Sequence, residues 1–246
     1  MNRPAFYRED LAYIHHVGFG ELATRAAPEL LRILKRAGIR RGTLVDLGCG
    51  SGLWAKAAER AGFDVIGVDC SPDMIRLAKR VAPRARYRCA SLHEFELPPC
   101  DAITILGEGL NYLDGEQIPK VEKLFKRAAQ TLRPDGFFIF DVMIREGPAM
   151  NYRGWRAGKD WAALFEAAEN RRKHVLTRRI TAFRKIGSAY RRSEETHVVR
   201  LFDHEEVTRA LRASGFSVRV SRRYGRTPLA PRRMAFFALN GSASHG

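Results

Sequence analysis

Residues 44–52 read LVDLGCGSG, an apolar run holding one acid, Asp46, and then three glycines, Gly48, Gly50 and Gly52. Glycines spaced this closely where a strand turns into a helix let backbone amides approach a ligand, with the helix N-terminus behind them. A dinucleotide-binding turn has the pattern G-x-G-x-x-G, and here its last position holds Leu53. Asp46 beside the loop repels a pyrophosphate, so a ligand with a cationic head fits better. Seventeen residues after Gly52, Asp69 closes the apolar run FDVIGVD. A carboxylate there can accept hydrogen bonds from both hydroxyls of a ribose. Two plainer roles stay open: the glycines serve a tight turn, and Asp69 caps a helix that begins at Ser71.

Groups able to move a proton lie in two further stretches. DLAYIHHVGFG offers Tyr13, His15 and His16 beside the flexible Gly18 and Gly20, and GEGLNYL offers Glu108, Asn111 and Tyr112. A histidine titrating near neutrality can take a proton at working pH. A surface or capping role serves each histidine equally well, and core packing serves Tyr112.

The elements that would position these residues follow from periodicity. TLVDLG, FDVIGVD, ARYRCA, DAITILG and FFIFDV read as five strands, and helices are expected over 51–61, from Ser71 to about Val81, and across EQIPKVEKLFKRAAQTLRPDG up to the breakers Pro134 and Gly136. Strands alternating with helices imply a parallel sheet covered on both faces. Ahead of them, residues 5–24 read as a helical lid and 28–39 as an amphipathic helix. Behind them, β-branched alternation around Gly187-Ser188 reads as a long antiparallel hairpin. A helix follows with Asp203 as N-cap and Gly215 at its end, and then two more strands.

The 246 residues are enough for one α/β core with an appended subdomain. Residues 1–142 carry 21 Lys+Arg against 18 Asp+Glu (+3), and residues 143–246 carry 22 against 9 (+13). The basic second part either meets something anionic or reflects arginine-rich coding, since 34 of the 43 basic residues are Arg. Cys49, Cys70, Cys89 and Cys100 lack metal-ligand spacing and read as buried, reduced thiols of a cytoplasmic protein. No run is long and apolar enough to span a bilayer, and MNRPAFYRED lacks the apolar centre of a signal peptide.

Asp46 with the loop glycines, followed by an acid at the tip of the second strand, resembles the class I S-adenosylmethionine-dependent methyltransferases. TLRPDGFFIFDV is similar to that family's L-x-P-G-G junction, with Asp135 in place of the first glycine. The resemblance implies a Rossmann-like doubly wound α/β sheet of about seven strands with the last antiparallel, plus an antiparallel β insertion. It implies S-adenosylmethionine as cofactor, with Gly48, Gly50 and Gly52 along its methionine portion and Cys49 within the same loop. Asp46 would face the ammonium, Asp69 would grip the ribose, and Cys70 would pack on the adenine. Ser91 and Leu92 occupy the place where the family often has an adenine-recognising aspartate. Gly107 and Glu108 would lie near the sulfonium, with Glu108, His16, Tyr13 and Tyr112 as catalytic candidates. No metal is expected, because only Asp101 and Glu108 lie near the fourth strand.

The expected division is a helical lid (1–42), the cofactor-binding core (43–142), a β-rich insertion (143–202), a closing helix and two strands (203–240), and a disordered tail (241–246). Methyl transfer by in-line displacement to a small molecule, with an anionic acceptor as an option, is the leading expectation, in a monomer or homodimer without membrane contact. Arg171, Arg172, Arg178, Arg179, Arg184, Arg191 and Arg192 would bind phosphates or line a solvated sheet face. Trp155 and Trp161 would floor the acceptor site or anchor the insertion. Two other readings remain: a nucleic-acid methyltransferase using the basic half as a phosphate track, and a non-catalytic binding protein on the same scaffold. Against the first, GEGLNYL stands where an N-P-P-Y tetrapeptide would hold a planar amine.

Overall fold

A computed structural model describes residues 6–113 and 121–241 of the chain. Expectations for residues 1–5, 114–120 and 242–246, which include most of the tail, lie outside the described residues. Five strands run parallel: β1 (Gly42–Leu47), β2 (Phe63–Asp69), β3 (Arg86–Cys89), β4 (Cys100–Ile105) and β5 (Leu132–Met143). Later in the chain come β10 (Phe216–Ser221) and β13 (Arg233–Asn240), the latter antiparallel to both β5 and β10. The sheet order is β10-β13-β5-β4-β1-β2-β3. The expected reversed last strand is therefore present.

Strand alternation divides the core in two. Val45, Leu47, Ile103, Ile105, Phe138 and Phe140 pack toward α5 (Val121–Thr131) and α6 (His204–Ala213). Leu44, Ala102, Ile139 and Phe237 pack toward α2 (Glu21–Arg36), α3 (Leu53–Arg60) and α4 (Pro72–Val81). Apolar residues on both faces are what a parallel strand between two helical layers requires. Helix starts follow local chemistry: the Ser71 hydroxyl accepts from Met74 N at 3.1 Å ahead of Pro72, and Asp203 accepts from Glu205 N at 2.8 Å.

The amphipathic helix expected over 28–39 begins earlier, and Pro28 lies inside α2. Its missing N–H costs one helical bond, which burial of Ala26, Ala27, Leu30 and Leu34 offsets. Pro134 and Gly136 lie within β5 as a bulge: Cys100 pairs with Leu132 but Ala102 with Phe137, and Asp135 takes a left-handed φ of 61°.

The insertion is a separate antiparallel sheet of β6 (Asn151–Ala157), β7 (Trp161–Asn170), β8 (Val175–Ile186) and β9 (Ala189–Arg200), in that order. The hairpin around Gly187-Ser188 is as expected, with Ile186 facing Ala189. Residues 161–170 form a strand despite four alanines, because alternate positions (Trp161, Ala163, Ala167) are buried and that pattern outweighs alanine's helix preference. A two-residue pair, β11 (Arg223–Tyr224) with β12 (Thr227–Pro228), precedes β13.

The first helix, α1 (Glu9–Gly18), packs against the inner face of this sheet. Trp161 joins the two: a Cβ on Gly18 would lie 2.4 Å from its ring, so α1 reaches that depth only with glycine there. Trp161 thus anchors the insertion, while Trp155 is 75% exposed and floors no site.

Candidate active site

A cavity of about 680 Å³ lies between α1, the C-terminal ends of β1, β2 and β4, and the inner face of the insertion. Asp46, Gly48, Cys49 and Gly50 form one wall, with Asp69 and Cys70 beyond them. Ser91, Leu92 and Gly107 continue it, and Glu108 and Tyr112 face it from the loop after β4. Three expected site residues, Tyr13, His16 and Gly52, are not part of this wall.

Their positions explain why. Tyr13 turns toward the insertion, where its hydroxyl donates to Asp160 at 2.6 Å and Arg184 covers its ring at 4.1 Å. His16 reaches behind the glycine loop, with Nδ1 2.9 Å from the Ser51 hydroxyl. Gly52, at φ 79°, sits where a Cβ would come within 3.0 Å of the Ala78 backbone. Its smallness therefore serves the packing of α3 on α4.

Asp69 ties the loop together. Its Oδ2 accepts from Gly50 N at 2.9 Å and its Oδ1 from Ser71 N at 2.8 Å; the N-cap of α4 is Ser71 itself, so Asp69 holds the capping residue and does not cap the helix. Each oxygen keeps a further lone pair for a hydroxyl donor. Asp46 lies in a buried chain: Trp54 Nε1 donates to Thr104 Oγ1 at 3.0 Å, and that hydroxyl donates to Asp46 Oδ1 at 2.8 Å. Trp54 thereby orients the acid through Thr104. Burial pushes Asp46 up to about 7 and raises Asp69 too; the nearest compensating groups are neutral donors, not cations.

These features fit S-adenosylmethionine. At Gly48, Gly50 and Gly107 a Cβ would meet no protein atom nearer than 3.9 Å, yet all three face the cavity, so the space they leave is not filled by protein. Two desolvated carboxylates without a cation are costly, and a ligand bringing positive charge relieves both.

Opposite stands a group that sequence reasoning recovered only in part. Glu108 takes a left-handed φ of 61°, held by Asp141, which accepts from Gly107 N at 2.7 Å and Glu108 N at 3.0 Å. Asp141 also accepts from the Tyr224 hydroxyl at 2.7 Å. The signal for it was a single acid inside the apolar run FFIFDV. Burial raises the Glu108 carboxyl, but the guanidiniums of Arg233 and Arg178 outweigh this and hold it below the usual range. Arg178 engages both its oxygens and Arg233 Nη2 lies at 3.1 Å, so the basicity of Glu108 is reduced and its oxygens are already engaged. Asn111 is not in reach either; it clamps the end of β5, accepting from Met143 N and donating to Met143 O, each at 2.9 Å.

On the lid side, Tyr7 and Tyr112 share a 2.6 Å hydrogen bond between their hydroxyls. His15, not His16, faces the cavity; its Nδ1 is buried without a partner, and burial lowers the ring's pKa to about 4. Tyr7 precedes the periodic part of the lid, which is why no pattern marked it.

The basic strands are mostly committed internally. Asp10 accepts from Arg191 Nε at 2.7 Å and pairs with Arg184 at 3.5 Å, which latches α1 to the insertion. Arg192 pairs with Glu194, while Arg171, Arg172 and Arg179 are exposed. Of the seven arginines expected at phosphates, Arg178 alone faces the cavity. Cys49 and Cys100 are buried as expected, but Cys70 and Cys89 are exposed, since β3 is a sheet edge and Cys70 ends β2 at the cavity rim.

A family model described as a methyltransferase domain matches residues 15–220. The chain belongs to this family. It is an S-adenosylmethionine-dependent methyltransferase of class I. It is 25% identical to the Streptomyces fradiae dTDP-3-amino-3,6-dideoxy-alpha-D-glucopyranose N,N-dimethyltransferase, over 87% of this chain and 86% of that one. It is 27% identical to the putative methyltransferase YqeM of Bacillus subtilis, over 72% and 74% of the two chains. A crystal structure of an S-adenosylmethionine-dependent methyltransferase from Clostridium acetobutylicum superposes with a TM-score of 0.79 at 17% identity, covering 94% of this chain and 97% of that one. That likeness is one of fold.

Proposed function

We propose that this methyltransferase acts on a small molecule enclosed between α1, the core and the insertion. The observation that carries this reading is the latched lid. Asp10 is held by Arg184 and Arg191, Tyr13 by Asp160, and the Tyr7 and Arg8 amides by Glu195 at 2.8 Å each, so α1 and the insertion together roof the cavity. A volume of about 680 Å³ suits a cofactor with a small partner. The Streptomyces fradiae relative, named for a nucleotide-linked amino sugar, acts on a small molecule as well.

In this reading the backbone at Gly48, Gly50 and Gly107 cradles the methionine portion and Asp46 faces its positive charge. Asp69 accepts from the ribose hydroxyls, while Cys70, Ser91 and Leu92 flank the adenine. When bound, S-adenosylmethionine supplies a methyl group made electrophilic by its sulfonium. The chain's part is to orient the acceptor atom, exclude water and receive a proton where one is released. The Tyr7–Tyr112 pair, kept protonated by burial, and His15, uncharged at neutral pH, are the groups we assign to orienting the acceptor, with the unpartnered Nδ1 of His15 as the place for a hydrogen bond or a released proton. Glu108 acts through its two arginines as a positioning residue.

We further read the chain as cytoplasmic, on the strength of four cysteines that form no disulfide. Among the described residues no helix is long and apolar enough to cross a membrane. The divisions at residues 42, 142, 202 and 240 stand as our proposal, as does a monomeric or homodimeric state, which light scattering decides. The test of function is transfer from methyl-labelled cofactor into a small-molecule extract and, in parallel, into bulk tRNA and rRNA. Label in the small-molecule fraction is expected. Label in RNA would overturn the proposal.

A further inference from the structure

The acceptor end of the cavity differs from the cofactor end in a way that bears on what it takes. Its wall is built from three separate parts of the chain: Tyr7 ahead of α1, Tyr112 after β4, and Tyr152, Phe165 and Ile180 on the insertion. The Tyr152 and Phe165 rings meet edge to face at 6.3 Å, and a Cβ on Gly154 would lie 2.5 Å from the Phe165 ring, so that ring is fixed in place.

Most polar groups around this wall are already engaged; the exceptions are His15 Nδ1 and Arg233 Nε, both buried without a partner. Glu108 is held by Arg178 and Arg233, and Arg233 Nη1 also lies 3.7 Å from Asp141. Two guanidiniums thus face two carboxylates, and the quartet offers no net charge to a ligand. The Tyr7 and Tyr112 hydroxyls bond to one another, which leaves one O–H of the pair for an acceptor atom. Glu195 is occupied by the Tyr7 and Arg8 amides and by His197.

Resting on the small-molecule reading above, we propose that the acceptor is an uncharged, planar, largely apolar ring compound, an aryl or fused-ring alcohol or amine. Flat aromatic walls favour stacked or edge-on rings. One shared tyrosine hydroxyl is enough to orient a single oxygen or nitrogen. A sugar carries several hydroxyls, and each one facing these side chains would lose its hydrogen bonds to water without replacement, at about a tenfold loss of affinity apiece. A diphosphate would find its obvious partner, Arg178, taken by Glu108.

The experiment is isothermal titration of the S-adenosylhomocysteine-loaded protein with 1-naphthol, 2-aminonaphthalene and dTDP-glucose. The naphthalene probes are expected to bind in the micromolar range, and Phe165→Ala and Tyr152→Ala to weaken them about tenfold each. Phe165→Leu, which keeps the bulk but not the ring, is expected to fall between. S-adenosylhomocysteine affinity, unchanged in all variants, reports intact folding. Binding of dTDP-glucose in preference to the naphthalenes would overturn the ring assignment while leaving the small-molecule reading standing. Naphthalene binding that is absent, or unmoved by both alanine variants, would overturn it too. RNA labelling in the preceding assay would instead remove the small-molecule reading itself.

Discussion

Asp46 should make cofactor binding depend on pH through a single identifiable group. The side chain is 2% exposed, accepts one hydrogen bond from Thr104 and titrates at about 7 because burial disfavours its charge. A bound ammonium or sulfonium favours the ionised form, so binding must first remove the proton from any Asp46 that carries one. With a pKa of about 7, the acid is about one-tenth ionised at pH 6 and about nine-tenths at pH 8, so affinity should rise about tenfold between them, about 1.4 kcal/mol. Near pH 7, binding should release about half a proton, seen as a dependence of the calorimetric heat on buffer ionisation.

The ligand's own amine titrates nearby, and Asp46→Asn separates the two: the variant keeps the ligand's titration and loses the protein's. Stability should move the opposite way. A carboxyl whose folded pKa lies above its unfolded value holds more protons when folded. The ligand-free chain therefore loses stability as pH rises from about 4 to about 7. With the ordinary value at 3.8 and the folded value at about 7, the full cost at pH 8 is about 4 kcal/mol as an upper bound. Asp46→Asn should then raise the melting temperature of the ligand-free protein at pH 8 and not at pH 4, while weakening the cofactor. Wild type and variant with parallel pH–affinity profiles from pH 6 to 8, and no proton release in either, would refute this reasoning.

Four other outcomes are expected. Gly52→Ala should destabilise the chain by about 1–3 kcal/mol in urea denaturation, since it combines a φ of 79° with a 3.0 Å approach to Ala78. Glu108→Ala should cost about 3–5 kcal/mol by leaving Arg178 and Arg233 buried against each other, and Glu108→Gln should cost less; both are read by the same denaturation. Asp10→Asn should loosen α1, raising amide exchange over residues 9–18 about tenfold and the acceptor KM more than kcat, with little change in global stability. Tyr13→Phe and His16→Gln should leave kcat within about threefold, because neither side chain faces the cavity, whereas His15→Ala and Tyr112→Phe should lower it by about 10²-fold or more.

The cofactor half was legible because its requirements are local. Glycine spacing, an acid within a strand and an acid at a strand tip are read from neighbours in sequence, and the structure places Asp46, Gly48, Gly50 and Asp69 on one wall. The five parallel strands followed from alternating periodicities, and the reversed last strand from the family resemblance. Gly52 shows a role that spacing could not reveal, because a glycine packing one helix on another has the same spacing as one facing a ligand. The lid was read less well for a geometric reason. His15 and His16 are adjacent on α1, so their directions differ by about 100°, and which one looks inward depends on where the helix docks. That docking is set by Trp161 and Gly18, residues 143 positions apart in the chain (161 − 18). Asp141 and Tyr7 also matter through partners far from them in sequence, Tyr224 and Tyr112 among them.

Part of the uneven charge is taken up by the same long-range contacts. An excess of +13 after residue 142 suggested an external polyanion. Several of those cations are instead matched to acids from the first 142 residues: Arg184 and Arg191 to Glu9 and Asp10, Arg156 to Glu21, Arg226 to Glu29, Arg178 and Arg233 to Glu108, and Arg233 also to Asp141. The insertion and the closing strand carry the guanidiniums, and the lid and the loop after β4 carry the carboxylates, so the pairs form only when the parts come together over the cavity. A chain using its arginines as a phosphate track would leave them facing solvent along one stripe. Here two well-buried ones, Arg178 and Arg233, at 15% and 18% side-chain exposure, converge on one glutamate at the cavity wall. Adding 0.5 M salt therefore acts on closure more than on substrate attraction. The exposed Arg191–Glu9 contact is screened first and the buried Glu108 cluster least. Exchange over α1 should rise with salt while the melting temperature changes little, and a salt-insensitive lid would show that the latch is not electrostatic.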